Sequence, residues 1–450
     1  MQSKPLTPIS ILLAFLFLAA CKKDGADLAR THTYTDYFED CQGVLSQNEP
    51  VIEELKNNSY PLTESILNLE DAELKAMGDY LSNAYFVGLG EATHGTREFF
   101  QMKSRIFKYL VENHGFRVMG FEATWGGTLQ VNEYVLNGTG SARAAIGRMK
   151  FWTWDTEEVL ELVEWMRQYN VENADSPPLL FLGFDMQHVD EEYGWIHDYL
   201  SEHDPMLKFD IIQLIKPFVD LASISFTTYS KVNPAEQDGY REDIEKAQSL
   251  FAENEAQLVA SSSQREYDLA KHAFEILLQF EAMQASGRGE GRDYYMARNS
   301  EWIRDYVGPG TKVALWAHNG HISKGQLLLQ GGQLDFAHGD NYKAVGFSFA
   351  KGSFQAVRPG LGLNTNNVLE EVNCLTTNNM LQNVDDNFYF IFDELKGPAS
   401  TEYFQQRQNF FMLGALWDPE NPNRFISRTV LPEHYDVLIH LNETTHAKPL

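Results

Sequence analysis

Gly88-Leu89-Gly90-Glu91-Ala92-Thr93-His94-Gly95 decides the fold through what stands on either side of it. The apolar run Tyr85–Leu89 before it reads as a buried strand. Residues 96–113 after it carry Phe99, Phe100, Ile106, Phe107 and Leu110 at helical spacing, with Gly115 placed as a C-terminal cap. A glutamate and a histidine therefore stand at the exit of a strand, where open α/β sheets keep their ligand crevice. The pattern recurs: Phe116–Phe121 ends in Glu122, Leu179–Phe184 in Asp185, and Val313–Ala317 in His318, with His321 just beyond. Packing alone gives no reason for successive buried strands to end in ionisable groups.

Strand, helix and strand over Tyr85–Glu122 make a βαβ unit, whose right-handed crossover sets the strands parallel. A second helix, Thr156–Asn170, brings Val159, Leu162, Val163 and Met166 to one face, and further strands are expected at Tyr342–Phe349, Phe388–Phe392 and Tyr435–Leu441. Residues 205–306 change character. They read as a run of helices, including Arg241–Ala260, Ser263–Ala285 and Tyr294–Tyr306, with almost no strand signal. The expected architecture is thus α/β: a mainly parallel central sheet flanked by helices, with a helical insertion between sheet strands, both a packed bundle and a cap over the strand ends. Residues 34–83 form a helical lead-in, and one domain is expected over 34–450.

The N-terminus reads as a separate device. Lys4 precedes an apolar stretch, Ile9–Ala20, too short to span a bilayer, and Leu18-Ala19-Ala20 leads into Cys21. This resembles a bacterial lipoprotein signal: residues 1–20 removed, Cys21 lipidated, and 21–33 a tether. The expectation is an exported, lipid-anchored protein on the periplasmic or outer-surface side of the cell envelope. The formal net charge of −27 and the lack of a basic stripe argue against nucleic acid as a partner. Of the three cysteines, Cys41 and Cys374 remain beyond the signal, either paired or as buried thiols.

Residues 88–100, Gly120-Phe121-Glu122-Ala123, Phe151-Trp152-Thr153-Trp154, Gly183-Phe184-Asp185 and Trp316-Ala317-His318-Asn319-Gly320-His321 together resemble the erythromycin esterase family. The resemblance is good over residues 80–325 and thins towards the C-terminus. It implies hydrolysis of a carboxylic ester or lactone without a covalent intermediate, metal or other cofactor. Macrolide ring opening, and with it antibiotic resistance, is one such activity. It implicates the positions of Glu91, His94, Glu122 and His318 in catalysis, with His94 activating water. It also places a basic residue on the helix after the motif; here that is Lys103, with Arg105 close by, and a lysine lacks the bidentate fork of an arginine. The run Arg292-Asp293-Tyr294-Tyr295-Met296-Ala297-Arg298-Asn299 resembles a family motif and makes Arg292 and Asp293 support residues.

The residues themselves suit this chemistry. A histidine whose tautomer is fixed by a carboxylate can deprotonate water near neutral pH. His94 fills that role with Glu91 or Glu122 as the orienting group. His318 is a second acid or base, or a donor to the developing oxyanion, and amides around Gly90–Thr96 at a helix N-terminus are further donors. Asp185 braces a loop or acts directly, His321 is a supporting candidate, and Trp152 and Trp154 suit either the core or a large apolar substrate. His114, His188, His197, His203 and His272 receive no role.

Competing motifs fail on the sequence. Gly346-Phe347-Ser348-Phe349-Ala350 lacks the closing glycine of a nucleophile elbow, and there is no H-E-x-x-H or P-loop. Two alternatives stay open. One is a metal-dependent hydrolase using His94, His318 and His321 with Glu91 or Glu122; the other is a lipid-anchored binding protein without turnover.

Overall fold

The computed structural model describes residues 41–63, 71–225, 227–285 and 291–450. The signal segment 1–20, the tether 21–33 and Cys21 lie outside the described residues. Among those described, no helix is long and apolar enough to cross a membrane.

The strands, in chain order, are β1 (Tyr60–Pro61), β2 (Phe86–Leu89), β3 (Val118–Thr124), β4 (Leu180–Asp185), β5 (Val313–Trp316), β6 (Tyr342–Arg358), β7 (Gly362–Leu369), β8 (Asn387–Ile391), β9 (Gln408–Phe411), β10 (Ile426–Thr429) and β11 (Val437–Thr444). The four strands expected to end in ionisable groups are β2 to β5. All four are buried along their whole length, as parallel strands covered on both faces must be. The chain divides into two compact units, one made of residues up to Arg117 with Asp155–Leu162 and Lys312–Leu450, the other of Val118–Trp154 and Val163–Thr311.

In the first unit the strands run β1-β8-β11-β6-β2-β5, with β7 on β6. The pairs β11·β6, β6·β2 and β2·β5 are parallel, and the edge pairs with β8 and β7 are antiparallel. The helix Arg97–His114 crosses back over this sheet. Its Phe99 ring meets Phe347 and Phe349 of β6 edge-on, at 5.3 and 5.9 Å, and each such buried ring contributes about 1.5–3 kcal/mol. Gly115 ends it in the left-handed conformation (φ 73°), returning its N–H to the Leu110 carbonyl.

The sequence reading ends the sixth strand at Phe349. The structure carries it on to Arg358, because Gly352 adopts φ 129° and a Cβ there would sit 2.1 Å from the Thr444 carbonyl oxygen. Strands β1, β7, β9 and β10 had no expectation. Cys41 and Cys374 are joined in a disulfide, which ties the helix Cys41–Asn58 to the segment after β7.

In the second unit β3 and β4 pair in parallel from Val118↔Leu180 to Phe121↔Gly183, and the register then shifts before Thr124↔Asp185. Glu122 lies in that irregular step, which turns a side chain out of the regular alternation. Residues 205–306 contain no strand among the described residues, as expected. The helices there are Pro205–Ala222, Pro234–Glu253, Glu255–Ser261, Gln264–Gln284 and Arg292–Val307. The expected single helix 241–260 is two. The first starts earlier, where Asn233 caps it through the Glu236 amide and Pro234 takes the first turn, and it breaks at Asn254.

Candidate active site

The turn after β2 owes its shape to close approach. A Cβ on Gly90 would lie 2.2 Å from Asn319 Oδ1 and 2.9 Å from the Val345 carbonyl oxygen, and one on Gly95 only 2.3 Å from the Gln355 carbonyl oxygen. Two glycines of the decisive stretch are therefore demanded by neighbouring chain, and the turn they permit presents Glu91 and His94 side by side. Both are buried.

Within that turn the His94 Nδ1–H donates to Glu91 Oε1 at 2.7 Å, and Lys103 Nζ donates to Glu91 Oε2. Lys103 is fully buried. Its ammonium lies 4.0 Å from the ring centroid of Trp316, at the end of β5, and 5.6 Å from that of Phe100. A buried ammonium needs an anion, and a buried carboxylate needs a cation. Lys103 and Glu91 supply both, and Glu91 accepts the Nδ1–H of His94. The tautomer left to His94 has its lone pair on Nε2, which suits a general base. Of the two carboxylates the sequence left open, Glu91 makes this bond.

His318 stands alongside, its ring centroid 5.0 Å from that of His94. Its Nδ1 accepts the Gly320 N–H at 3.1 Å, capping the short helix Asn319–Ile322. Its Nε2–H donates to the Leu413 carbonyl oxygen at 3.1 Å. That pattern fixes the opposite tautomer from His94, with a proton on Nε2. His321 is half-buried, its ring 6.5 Å from that of His318.

Asn319 carries a role the sequence did not reveal. Its side chain donates to the Phe347 carbonyl oxygen (2.7 Å) and accepts the Phe347 N–H (3.0 Å), while its own N–H reaches the Glu91 carbonyl oxygen (3.0 Å). One buried amide thus locks the exits of β2 and β5 against β6. Arg105 reaches Asp71 at 2.8 Å. Among the turn amides offered as anion donors, that of Gly90 is bonded to Val345 and that of Gly95 to the Thr93 hydroxyl.

The second unit has its own buried constellation. Arg292 forks onto Asp185, Nε to Oδ1 at 3.0 Å and Nη2 to Oδ2 at 2.7 Å, and the same Nη2 reaches Glu122 Oε1 at 2.8 Å. Burial works to lower the Arg292 pKa, but the charges of Asp185 and Glu122 outweigh it and hold the guanidinium above its ordinary value. Asp185 also accepts the Met186 amide and the Gln187 side chain. Trp154 is buried and donates its indole N–H to the Glu122 carbonyl oxygen at 2.9 Å. Trp152 is half-buried in the turn before it, and Asp293 is buried beside Arg292. A further carboxyl, Glu192, is buried where Trp125–Asn137 begins, accepts the Gly126 N–H at 2.7 Å and is pushed up by burial to about 8.

For a metal the donor set fits poorly. His94 Nδ1 and both Glu91 oxygens are committed to one another and to Lys103. Among the described residues no group of three or more His, Cys, Asp and Glu is placed to hold an ion.

Comparison with known proteins places the chain among known sequences. The sequence model of the erythromycin esterase family matches residues 111–444. The Bacillus subtilis protein YbfO, provisionally named a hydrolase, is 25% identical over 290 residues, covering 60% of this chain and 63% of its own length. Erythromycin esterase type II of Escherichia coli is 24% identical over 319 residues, covering 64% of this chain and 74% of its own. Among solved structures, a Bacillus cereus protein superposes with a TM-score of 0.79 at 25% identity, over 90% of this chain and 99% of its own.

Proposed function

The chain belongs to the erythromycin esterase family, and on that premise we propose that it is a hydrolase cleaving a carboxylic ester or lactone with water activated by His94. The observation that carries this reading is the chain Lys103–Glu91–His94. It ends at an imidazole whose Nδ1 is protonated and held, leaving Nε2 as the base. In the proposed reaction His94 Nε2 takes a proton from water as the oxygen attacks the acyl carbon. The imidazolium formed is stabilised by Glu91, and its proton passes to the leaving alkoxide as the tetrahedral intermediate collapses. His318 is the proposed donor to the oxyanion, its Nε2–H turning to it from the Leu413 carbonyl oxygen.

In the second unit Glu122, held by Arg292 together with Asp185, is a further proposed catalytic residue. Arg292, Asp293, Trp152, Trp154 and His321 are read as support, and Lys103 as the residue that keeps Glu91 ionised rather than as a substrate ligand. The family relationship makes an antibiotic macrolide one candidate substrate, and the net charge of −27 favours approach of a cationic one. The reading retains an exported protein, anchored to the cell envelope through a lipid on Cys21.

The test is mass spectrometry of macrolide lactones and simple esters incubated with protein beginning after Cys21, with and without chelator. A gain of one water that survives chelation, and that is lost in a folded His94→Ala variant, is the expected result. An active His94→Ala variant overturns the mechanism. Activity lost on chelation moves the histidines into metal coordination.

A further inference from the structure

Most glycines near the site have an evident reason to be glycine. Gly88, Gly90 and Gly95 would drive a Cβ to within 2.7, 2.2 and 2.3 Å of neighbouring atoms. Gly115 and Gly352 adopt positive φ. Gly414 has neither reason. Its φ lies outside the left-handed region, and within 4 Å a Cβ there would meet, among the described residues, two atoms: Cδ2 of His94 at 3.6 Å and Nε2 of His94 at 3.7 Å. The backbone admits a side chain at this position, and what glycine spares is the edge of the proposed base.

The segment bearing Gly414 cannot easily yield. The Leu413 N–H donates to the Ala92 carbonyl oxygen at 2.8 Å, and the Leu413 carbonyl oxygen accepts from His318. On the other side the Val357 N–H donates to the Ala415 carbonyl oxygen at 2.8 Å, and the Trp417 N–H returns to Val357 at 3.0 Å. Leu413, Ala415, Leu416 and Trp417 are buried around a half-buried Gly414. His94 is held from behind by Glu91, so neither side retreats from an added group.

We propose that Gly414 is a specificity-determining position: its missing side chain sets how large an acyl group can approach His94. The inference rests on His94 being the base. A Cβ nearly equidistant from Cδ2 and Nε2 lies beside the bond joining them, off the lone-pair line of Nε2. A methyl group therefore narrows the approach without occupying the water position, whereas a branched side chain fills the space beside Nε2. The effect should grow with both the added side chain and the substrate.

The experiment compares Gly414→Ala and Gly414→Val on p-nitrophenyl acetate and on erythromycin, with melting temperature alongside. One added methyl group in a fitted pocket changes kcat/KM by roughly 10- to 200-fold. Gly414→Ala should therefore lose about 10-fold on erythromycin and less than about threefold on the acetate, and Gly414→Val should lose the macrolide altogether. A readout independent of turnover is the rate at which diethyl pyrocarbonate modifies His94, mapped by mass spectrometry, which should fall from glycine to alanine to valine. Where neither ester is turned over, or the valine variant does not fold, that rate in the wild type and Gly414→Ala decides. An inactive His94→Ala together with a folded Gly414→Val of wild-type kcat/KM on both esters overturns this inference alone. Losses equal for both esters and accompanied by a lower melting temperature overturn it too, since they mark a structural role. An active His94→Ala removes the reading beneath it.

Discussion

The two units each bury a cation among carboxylates, and they use it differently. In the first, the point charge of Lys103 holds one oxygen of Glu91, and the other oxygen passes the interaction on to His94. In the second, the planar fork of Arg292 engages Asp185 with two nitrogens and Glu122 with one of them. The lysine arrangement is open-ended: one cation balances one anion, and a titratable ring stands at the end of the line. The arginine arrangement binds its carboxylates to itself, two anions on one cation. A lysine suffices where the task is to keep one carboxylate ionised, and an arginine is needed where two must be held in a fixed plane.

The sharpest way to break the comparison is Glu91→Gln. It should lower kcat by about 10³-fold or more, because the wrong tautomer of His94 is no longer excluded. It should also lower stability by about 3–5 kcal/mol, since Lys103 is left buried without its anion. Adding Lys103→Met to that variant should recover much of the stability and none of the turnover, a double-mutant cycle read by thermal denaturation and ester hydrolysis. Recovered turnover would show that Lys103, and not His94, limits the chemistry.

Arg292→Lys tests the other half. It keeps the charge and loses the fork, so a loss of about 1–3 kcal/mol is expected from the hydrogen bonds to Asp185 and Glu122, with about a 10-fold fall in kcat/KM. Unchanged stability would mean that charge alone holds the two carboxylates.

The smallest effect is a pH dependence in the second unit. Burial raises the Glu192 carboxyl to about 8, while an unfolded glutamate titrates near about 4.3. The native state thus keeps a proton that the unfolded chain releases between those values, and this group's contribution falls as pH rises from about 4 to about 8. Glu192→Gln keeps an acceptor for the Gly126 N–H. It should raise stability by about 2 kcal/mol or more at pH 8 and by little at pH 4, measured by denaturant unfolding across that range.

Glu91, His94, Asp185 and His318 were legible because strand, turn and helix follow one another within a few residues, so hydrophobic periodicity places them at strand ends, whereas Glu122 lies within β3, which runs on to Thr124. Asn319, Gly414 and Glu192 were not, for a shared reason. Each acts on residues distant in sequence: Asn319 on Phe347, Gly414 on His94, and Glu192 on Gly126. The continuation of β6 beyond Phe349 was not legible because it passes through Gly352, whose positive φ and close approach to Thr444 are set by a strand distant in sequence.

The sequence by itself determined the α/β alternation, the parallel strands and the delivery of a glutamate and a histidine at the exit of β2, because these follow from local spacing and burial. Tertiary structure alone decided which cation serves which carboxylate, that Cys41 meets Cys374, and that an unremarkable glycine lies against the base. Such pairings depend on side chains brought together across 12 residues for Lys103 and Glu91 and 333 for the two cysteines, and no periodicity along the chain records them.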